Sequence, residues 1–214
     1  MKIEVWSDYV CPFCYMGKRR LEEALAEVNV TEPVEMEFKA YMLDPNTPVA
    51  SGQSFLEGMA KKFNVSESEA EYMMKNIESQ AQTVGLHYQM KKMKTSNTLD
   101  AHRLTKFAAV QGKGEQVAEL LMHSHFIEGE HIDTEEVLVA IAEEAGLDTA
   151  QTKEMLQSDD FTEKVHADMQ QAREMGIKSV PFFLFNKKYA VSGSQSKEAF
   201  IEALTKVAEE EVAE

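Results

Sequence analysis

The sequence predicts an α/β fold in which a block of helices interrupts a small sheet. Three observations carry this expectation. The first 43 residues read as strand, helix, strand; residues from about 53 to 175 carry helical periodicity; and a strand–turn–strand pair with one amphipathic helix closes the chain. KIEVW (2–6) is β-rich and ends in the polar turn Ser7-Asp8. CPFC (11–14) then opens a helix, because Cys14, Leu21, Leu25 and Val28 recur at helical spacing. Thr31-Glu32-Pro33 breaks that helix. VEMEFKAYML (34–43) alternates as a second strand, so the opening suits a parallel βαβ unit.

DPNTP (44–48) is a turn-rich linker into the helical block. Within the block, Ser66…Glu69 and Asp133…Glu136 have capping-box spacing. Gly85, Gly112, Gly129, Gly146 and Gly176 stand where helices should stop, which predicts roughly five to seven helices. PFFLF (181–185), the turn Asn186-Lys187-Lys188 and YAVSG (189–193) read as a β-hairpin. The last helix, about 196–208, carries Phe200, Ile201, Leu204 and Val207, and EEEVAE after it reads as a frayed tail. There is no internal repeat.

At 214 residues the chain can bury a sizeable core without disulfide staples. Its formal net charge of −15 argues against nucleic acid or an anionic membrane as partner, since both repel an acidic surface. MKIEVWSDYV has no signal-peptide apolar run, and no 18-residue apolar stretch suggests a transmembrane helix. A cytoplasmic location is therefore expected, where a close cysteine pair is more often redox-active or metal-binding than a staple.

Cys11 and Cys14 are the only cysteines in the sequence. Residues i and i+3 share a helix face, so the two sulfurs of C-x-x-C can meet as a disulfide. Cys11 is expected at the exposed helix tip, and Cys14 on the buried face with Leu21 and Leu25. Pro12 suits the first turn because its missing N–H costs nothing there. Helix-start N–H groups and the nearby Lys18, Arg19 and Arg20 favour a thiolate, while Asp8 acts the other way. Half of a zinc site is a competing reading, but structural zinc usually takes four ligands and no further cysteine exists. His123 and His125 are two apart and point to different sides of a helix. No metal is expected; an inert pair is the plainest alternative to redox chemistry.

SDYVCPFCYMGKRRLE (7–22), NTLDAHRLTKFA (97–108) and GIKSVPFFLFNKKYAVSGSQ (176–195) resemble the thioredoxin-fold DsbA family, and most closely its FrnE-like cytosolic branch. The resemblance spans essentially the whole chain. It implies a thioredoxin-like domain from residues 1–50 and 176–214, interrupted by an α-helical domain over 51–175, with a helix at about 159–175 shared. It implies catalytic Cys11 and Cys14, with Pro12, Phe13, Val180 and Pro181 as neighbours, and a cis peptide at Val180–Pro181 that shapes substrate docking. Phe13 stands where periplasmic members typically carry His, so a weaker oxidant is expected. Some FrnE relatives carry further cysteines, which this sequence lacks.

The implied function is thiol–disulfide exchange on protein or small-molecule disulfides, with Cys11 attacking and Cys14 resolving. No bound cofactor is implied; glutathione or another low-molecular-weight thiol is a candidate co-substrate. Two other functions stay open. One is a glutathione-dependent isomerase or transferase related to 2-hydroxychromene-2-carboxylate isomerase, although such relatives usually have Ser at the first cysteine. The other is a non-catalytic chaperone using a methionine-rich cleft. A homodimer is one of the assemblies left open.

Further residues carry paired readings. Asn97, Thr98, His102 and Arg103 either line the cleft facing Cys11, or serve as an N-cap and helix-surface residues. Met73, Met74, Met90 and Met93 either form an adaptable substrate surface or fill the core. Gly193-Ser194-Gln195 either holds a small thiol or forms a helix-start turn.

Overall fold

The computed structural model describes residues 1–28 and 33–213. The expected helix break at Thr31-Glu32 lies outside the described residues. Four strands, β1 (Lys2–Ser7), β2 (Glu35–Ala40), β3 (Phe182–Phe185) and β4 (Tyr189–Ser192), form one sheet in the order β2-β1-β3-β4. β1 and β2 run parallel, joined by the crossover helix α1 (Pro12–Val28). β3 lies antiparallel to β1, and β4 antiparallel to β3. The β3–β4 turn puts Asn186 and Lys187 at φ 47° and 57°, the left-handed pair of a type I′ hairpin.

Strand alternation sends two different surfaces to the two faces of the sheet. Val5 and Phe183, paired in register, face α1 and α9 (Lys197–Ala213); Phe183 meets Phe200 edge to face at 4.9 Å. Glu4, Trp6 and Lys39 face the opposite way, toward α8 (Thr162–Glu174). α9 runs past the expected helix end at about 208 and into the tail expected to fray: Glu210 accepts hydrogen bonds from Lys188 Nζ at 3.1 Å and from the Tyr189 hydroxyl, which tie the helix to the hairpin.

Between β2 and α8 lie α2 (Phe55–Phe63), α3 (Glu67–Gln82), α4 (Leu99–Ala109), α5 (Gly114–His123), α6 (Glu135–Glu144) and α7 (Thr149–Gln157). A π-helical turn, Ser124–Glu128, extends α5. The expected helix-stopping glycines take φ between 71° and 80°. Ser66 and Glu69 form the expected capping box, and Ser54 with Glu57 forms a second. Asp133…Glu136 does not form one. Thr134 precedes α6 without a side-chain cap, and the Asp133 carboxylate turns inward to accept the N–H groups of Ala50 (2.9 Å) and Asn97 (3.1 Å).

The helical periodicity also misleads over residues 83–98, which run without a helix. Leu86, Tyr88, Met90 and Met93 of this segment are buried. Several of its backbone bonds leave the segment: Gln89 N–H to Phe126 O at 2.7 Å, and Met93 O from Phe55 N–H at 3.0 Å. Met74, Met90 and Met93 are core residues, 2%, 0% and 0% exposed, so these three offer no substrate surface.

Candidate active site

β1 delivers the chain into a tight turn. Asp8 O accepts the Cys11 N–H at 3.1 Å, and Cys11 O accepts the Cys14 N–H at 3.0 Å. α1 begins at Pro12, so Cys11 stands at the cap position. Both cysteines are free thiols. Cys11 was expected to be exposed at the helix tip, but it is 4% exposed, against 2% for Cys14. Its sulfur is tucked beneath the loop before β3 and donates to Val180 O at 3.7 Å. Phe13 instead is the exposed member of the motif.

Cys14 has the deeper environment. Burial pushes its thiol well above the ordinary value, and the neighbouring Cys11 sulfur pushes the same way; the Ser7 hydroxyl and the Asp8 backbone N–H pull partly back. The Val180–Pro181 peptide is cis. Gly17 on α1 allows the close approach to Pro181: a Cβ there would sit 3.0 Å from Pro181 Cγ and 3.1 Å from the Phe183 ring. Tyr88 reaches in from the irregular segment, stacks on Phe126 at 4.7 Å and donates its hydroxyl to Pro12 O at 2.7 Å. Sequence reasoning missed Tyr88 and Gly17; no local pattern marks a contact 76 residues away.

The three cations after CPFC are all engaged. Lys18 is buried against Glu22 and Glu119, and Arg19 binds the same two carboxylates and the Tyr15 hydroxyl. Arg20 donates to Ser194 O at 2.5 Å, to Ser194 Oγ and to Gln195 O. Ser194 and Gln195 therefore form a turn clamped to α1; the adjacent Gly193 N–H reaches Pro181 O at 2.7 Å.

The NTLDAHR residues divide. Asn97 Oδ1 accepts the Leu99 N–H at 3.0 Å and its amide donates to Thr47 O, while Thr98 makes no side-chain cap bond. Arg103 points away from the cysteines, donating to Asp160 O, Met155 O and Ser158 O. His102 is not on the helix surface: it is 3% exposed, packs on the Tyr9 ring at 4.7 Å and lies 3.5 Å from Asp8.

Comparison with known proteins identifies this arrangement. The family described as DSBA-like thioredoxin domain matches residues 2–205. The chain belongs to that family. A probable DsbA oxidoreductase from Streptomyces coelicolor superposes with a TM-score of 0.90 at 33% identity, covering 97% of this chain and 89% of its own. The uncharacterized protein YwbO of Bacillus subtilis is 27% identical over 206 residues, 95% of each chain. At 15% identity, the fold is also that of the cytosolic disulfide reductase DsbM from Pseudomonas aeruginosa, solved with GSH (TM-score 0.65; 96% and 98% covered).

The DsbA-like domain thus carries a CxxC pair at a helix start, one sulfur against the loop before β3 and one behind it. Among the described residues no three His, Cys, Asp or Glu side chains gather as a metal site. No described helix is long and apolar enough to cross a membrane.

Proposed function

We propose that this DsbA-like protein is a dithiol–disulfide oxidoreductase, with Cys11 the nucleophile and Cys14 the resolving thiol. The observation that carries the reading is the asymmetry of the pair. Cys11 stands at the cap of α1, where helix N–H groups converge. Cys14 lies behind it with a thiol pushed well up by burial. In one direction Cys11 attacks a substrate disulfide, one substrate thiol leaves, and Cys14 then displaces the second as the Cys11–Cys14 disulfide forms. Two electrons and two protons pass to the substrate. A low-molecular-weight thiol such as glutathione, present with the similarly folded DsbM, is the proposed co-substrate that regenerates the dithiol.

Cys11→Ser should abolish exchange. Cys14→Ser should accumulate mixed disulfides, because attack survives and resolution does not. Non-reducing gels and mass spectrometry of each variant with a disulfide substrate read both outcomes; normal turnover by Cys14→Ser would refute the dithiol mechanism.

A further inference from the structure

A side chain from the helical block grips the CPFC backbone, and the exchange chemistry above gives it no part. Tyr88 is 5% exposed, and its hydroxyl donates to Pro12 O at 2.7 Å. Its segment is pinned just beyond it, by Gln89 N–H to Phe126 O at 2.7 Å and by Met90 N–H to Glu78 Oε1 at 3.2 Å. Its ring stacks on Phe126 at 4.7 Å and lies nearly parallel to Tyr15 at 6.3 Å. Burial pushes the phenol far above its ordinary value, and the Cys11 sulfur, Tyr15 and the Cys14 sulfur push the same way. The hydroxyl therefore stays a hydrogen-bond donor across the pH range in which thiols titrate.

The bonded carbonyl is one end of the Pro12–Phe13 peptide. A trans peptide is planar, with C=O and N–H pointing opposite ways, so a donor that holds Pro12 O also aims the Phe13 N–H. Pro12 has no N–H, so that of Phe13 is the first that α1 offers. It takes no backbone acceptor among the described residues, whereas the Cys14 N–H is spent on Cys11 O at 3.0 Å. Cys11 stands at the cap of the same helix, so the open Phe13 N–H belongs to the helix end where the sulfur charge forms. A hydrogen bond at the carbonyl also polarises the peptide and strengthens its N–H as a donor. Resting on the dithiol reading above, we propose that Tyr88 is a positioning residue for Cys11: through the Pro12–Phe13 peptide it orients and strengthens the N–H that stabilises the attacking thiolate.

The step it serves is the first sulfur transfer. Cys11 gives its proton to solvent, and its thiolate attacks one sulfur of the substrate disulfide. The bond from Cys11 to that sulfur forms, the substrate S–S bond breaks, and the other substrate sulfur leaves with the electron pair and takes a proton from solvent. Tyr88 neither gives nor takes a proton. The titratable groups around its ring are engaged elsewhere. Tyr15 donates its hydroxyl to Glu119 at 2.6 Å, and Arg19 pairs with Glu119 and Glu22. His125 lies edge-on to Phe126 at 4.9 Å, and burial keeps it uncharged at neutral pH. Tyr88→Phe thus removes one hydroxyl and alters no charge.

The test uses the two opposed effects of thiolate stabilisation. A stabilised thiolate is more abundant at low pH but less nucleophilic, nucleophilicity following basicity with a slope of about 0.4–0.5. Cys11 attack on Ellman's reagent is timed by thionitrobenzoate release in the Cys14→Ser background. Tyr88→Phe should be about twofold slower at pH 5 and about twofold faster at pH 9.5, so the two profiles cross. A loss of packing alone would lower the rate at both ends. Tyr15→Phe removes the neighbouring phenol, which bonds Glu119 rather than CPFC, and should leave the profile in place. 3-Fluorotyrosine at position 88 is a stronger donor on the same ring; it should shift the profile the opposite way, and it serves as the second variant if Tyr88→Phe does not fold. An unchanged profile, a pH-independent loss, or the same crossing in Tyr15→Phe would overturn the proposal. A wild type that forms no Cys11–Cys14 disulfide on oxidation would sink the dithiol reading and this proposal with it. A wild type that forms it, with no crossing in Tyr88→Phe, would sink this proposal alone.

Discussion

His125 shows how one buried side chain sets a pH limit on the fold. It is fully buried on the π-helical turn, where the extra residue per turn aims it inward, and neither nitrogen is hydrogen-bonded. Burial lowers its pKa from 6.5 to about 4. Between those values the unfolded chain binds a proton that the folded chain does not. Stability is therefore held above pH 6.5 and lost as pH falls toward 4, by roughly 1.4 kcal/mol per pH unit and about 3 kcal/mol in all. His125→Leu should remove this pH dependence, so the variant's urea midpoint should rise relative to that of the wild type as pH falls from 7 to 4.5. Parallel curves from pH 7 to 4.5 would refute the assignment. At this scale the cysteine pair and Pro181 were legible because their spacing and neighbours are local. The Asp8–His102 contact was not: it joins positions 94 apart, and a lone histidine in a helical pattern reads the same whether it faces water or a carboxylate.

Among the elements, α7 depends on a residue that the sequence offered as a site candidate. Arg103 donates to Met155 O at 2.6 Å, to Ser158 O and to Asp160 O at 2.8 Å, and its other end pairs with Asp100. Met155 and Ser158 lie at the C-terminal end of α7, and Asp160 in the segment just beyond it. Arg103→Met should cost about 3 kcal/mol by chemical denaturation, because it removes the charge-assisted hydrogen bonds that tie α4 to the end of α7. Arg103→Lys should recover little, since one ammonium cannot span three carbonyls. Cys11 attack rates should stay unchanged in both variants; a loss there would return Arg103 to the active site. Strand, crossover and hairpin were legible from period and turn residues. Residues 83–98 were not, because an irregular segment that buries Leu86, Tyr88, Met90 and Met93 has the same apolar spacing as a helix. The inward turn of Asp133 is a similar case: the carboxylate chose the N–H groups of two distant loops over its own helix.

At the scale of the whole molecule, sheet and helices share one buried apolar cluster, running from Ile3 and Val5 to Leu138 and Ile141. Across the sheet–helix boundary the polar contacts converge on Asp168 of α8. Its carboxylate takes Lys106 Nζ and the Ala40 N–H and lies 3.5 Å from Lys39 Nζ; its carbonyl accepts the Trp6 indole N–H at 3.2 Å. Lys39 in turn reaches Glu37 at 2.7 Å and Glu4 at 3.5 Å; against the effect of burial, Lys2, also 2.7 Å from Glu37, and Lys39 together lower the Glu37 carboxyl to about 2. No sequence pattern links β1, β2, α4 and α8 in this way, since each charge looks locally like a solvated face. Removing a carboxylate from such a cluster leaves Lys106 buried and uncompensated, which costs about 3–5 kcal/mol. Asp168→Ala should do more than lower stability. Trp6 is the only tryptophan and sits at this junction, so its fluorescence reports the sheet–α8 contact, whereas far-UV circular dichroism is dominated by the helices. In the wild type both signals should follow one urea transition, as expected when a continuous core couples the parts. In Asp168→Ala the fluorescence midpoint should fall below the dichroism midpoint, because the junction opens before the helical block melts. Coincident transitions in the variant, shifted equally, would mean that the apolar cluster alone couples the two parts and that Asp168 adds stability without adding cooperativity.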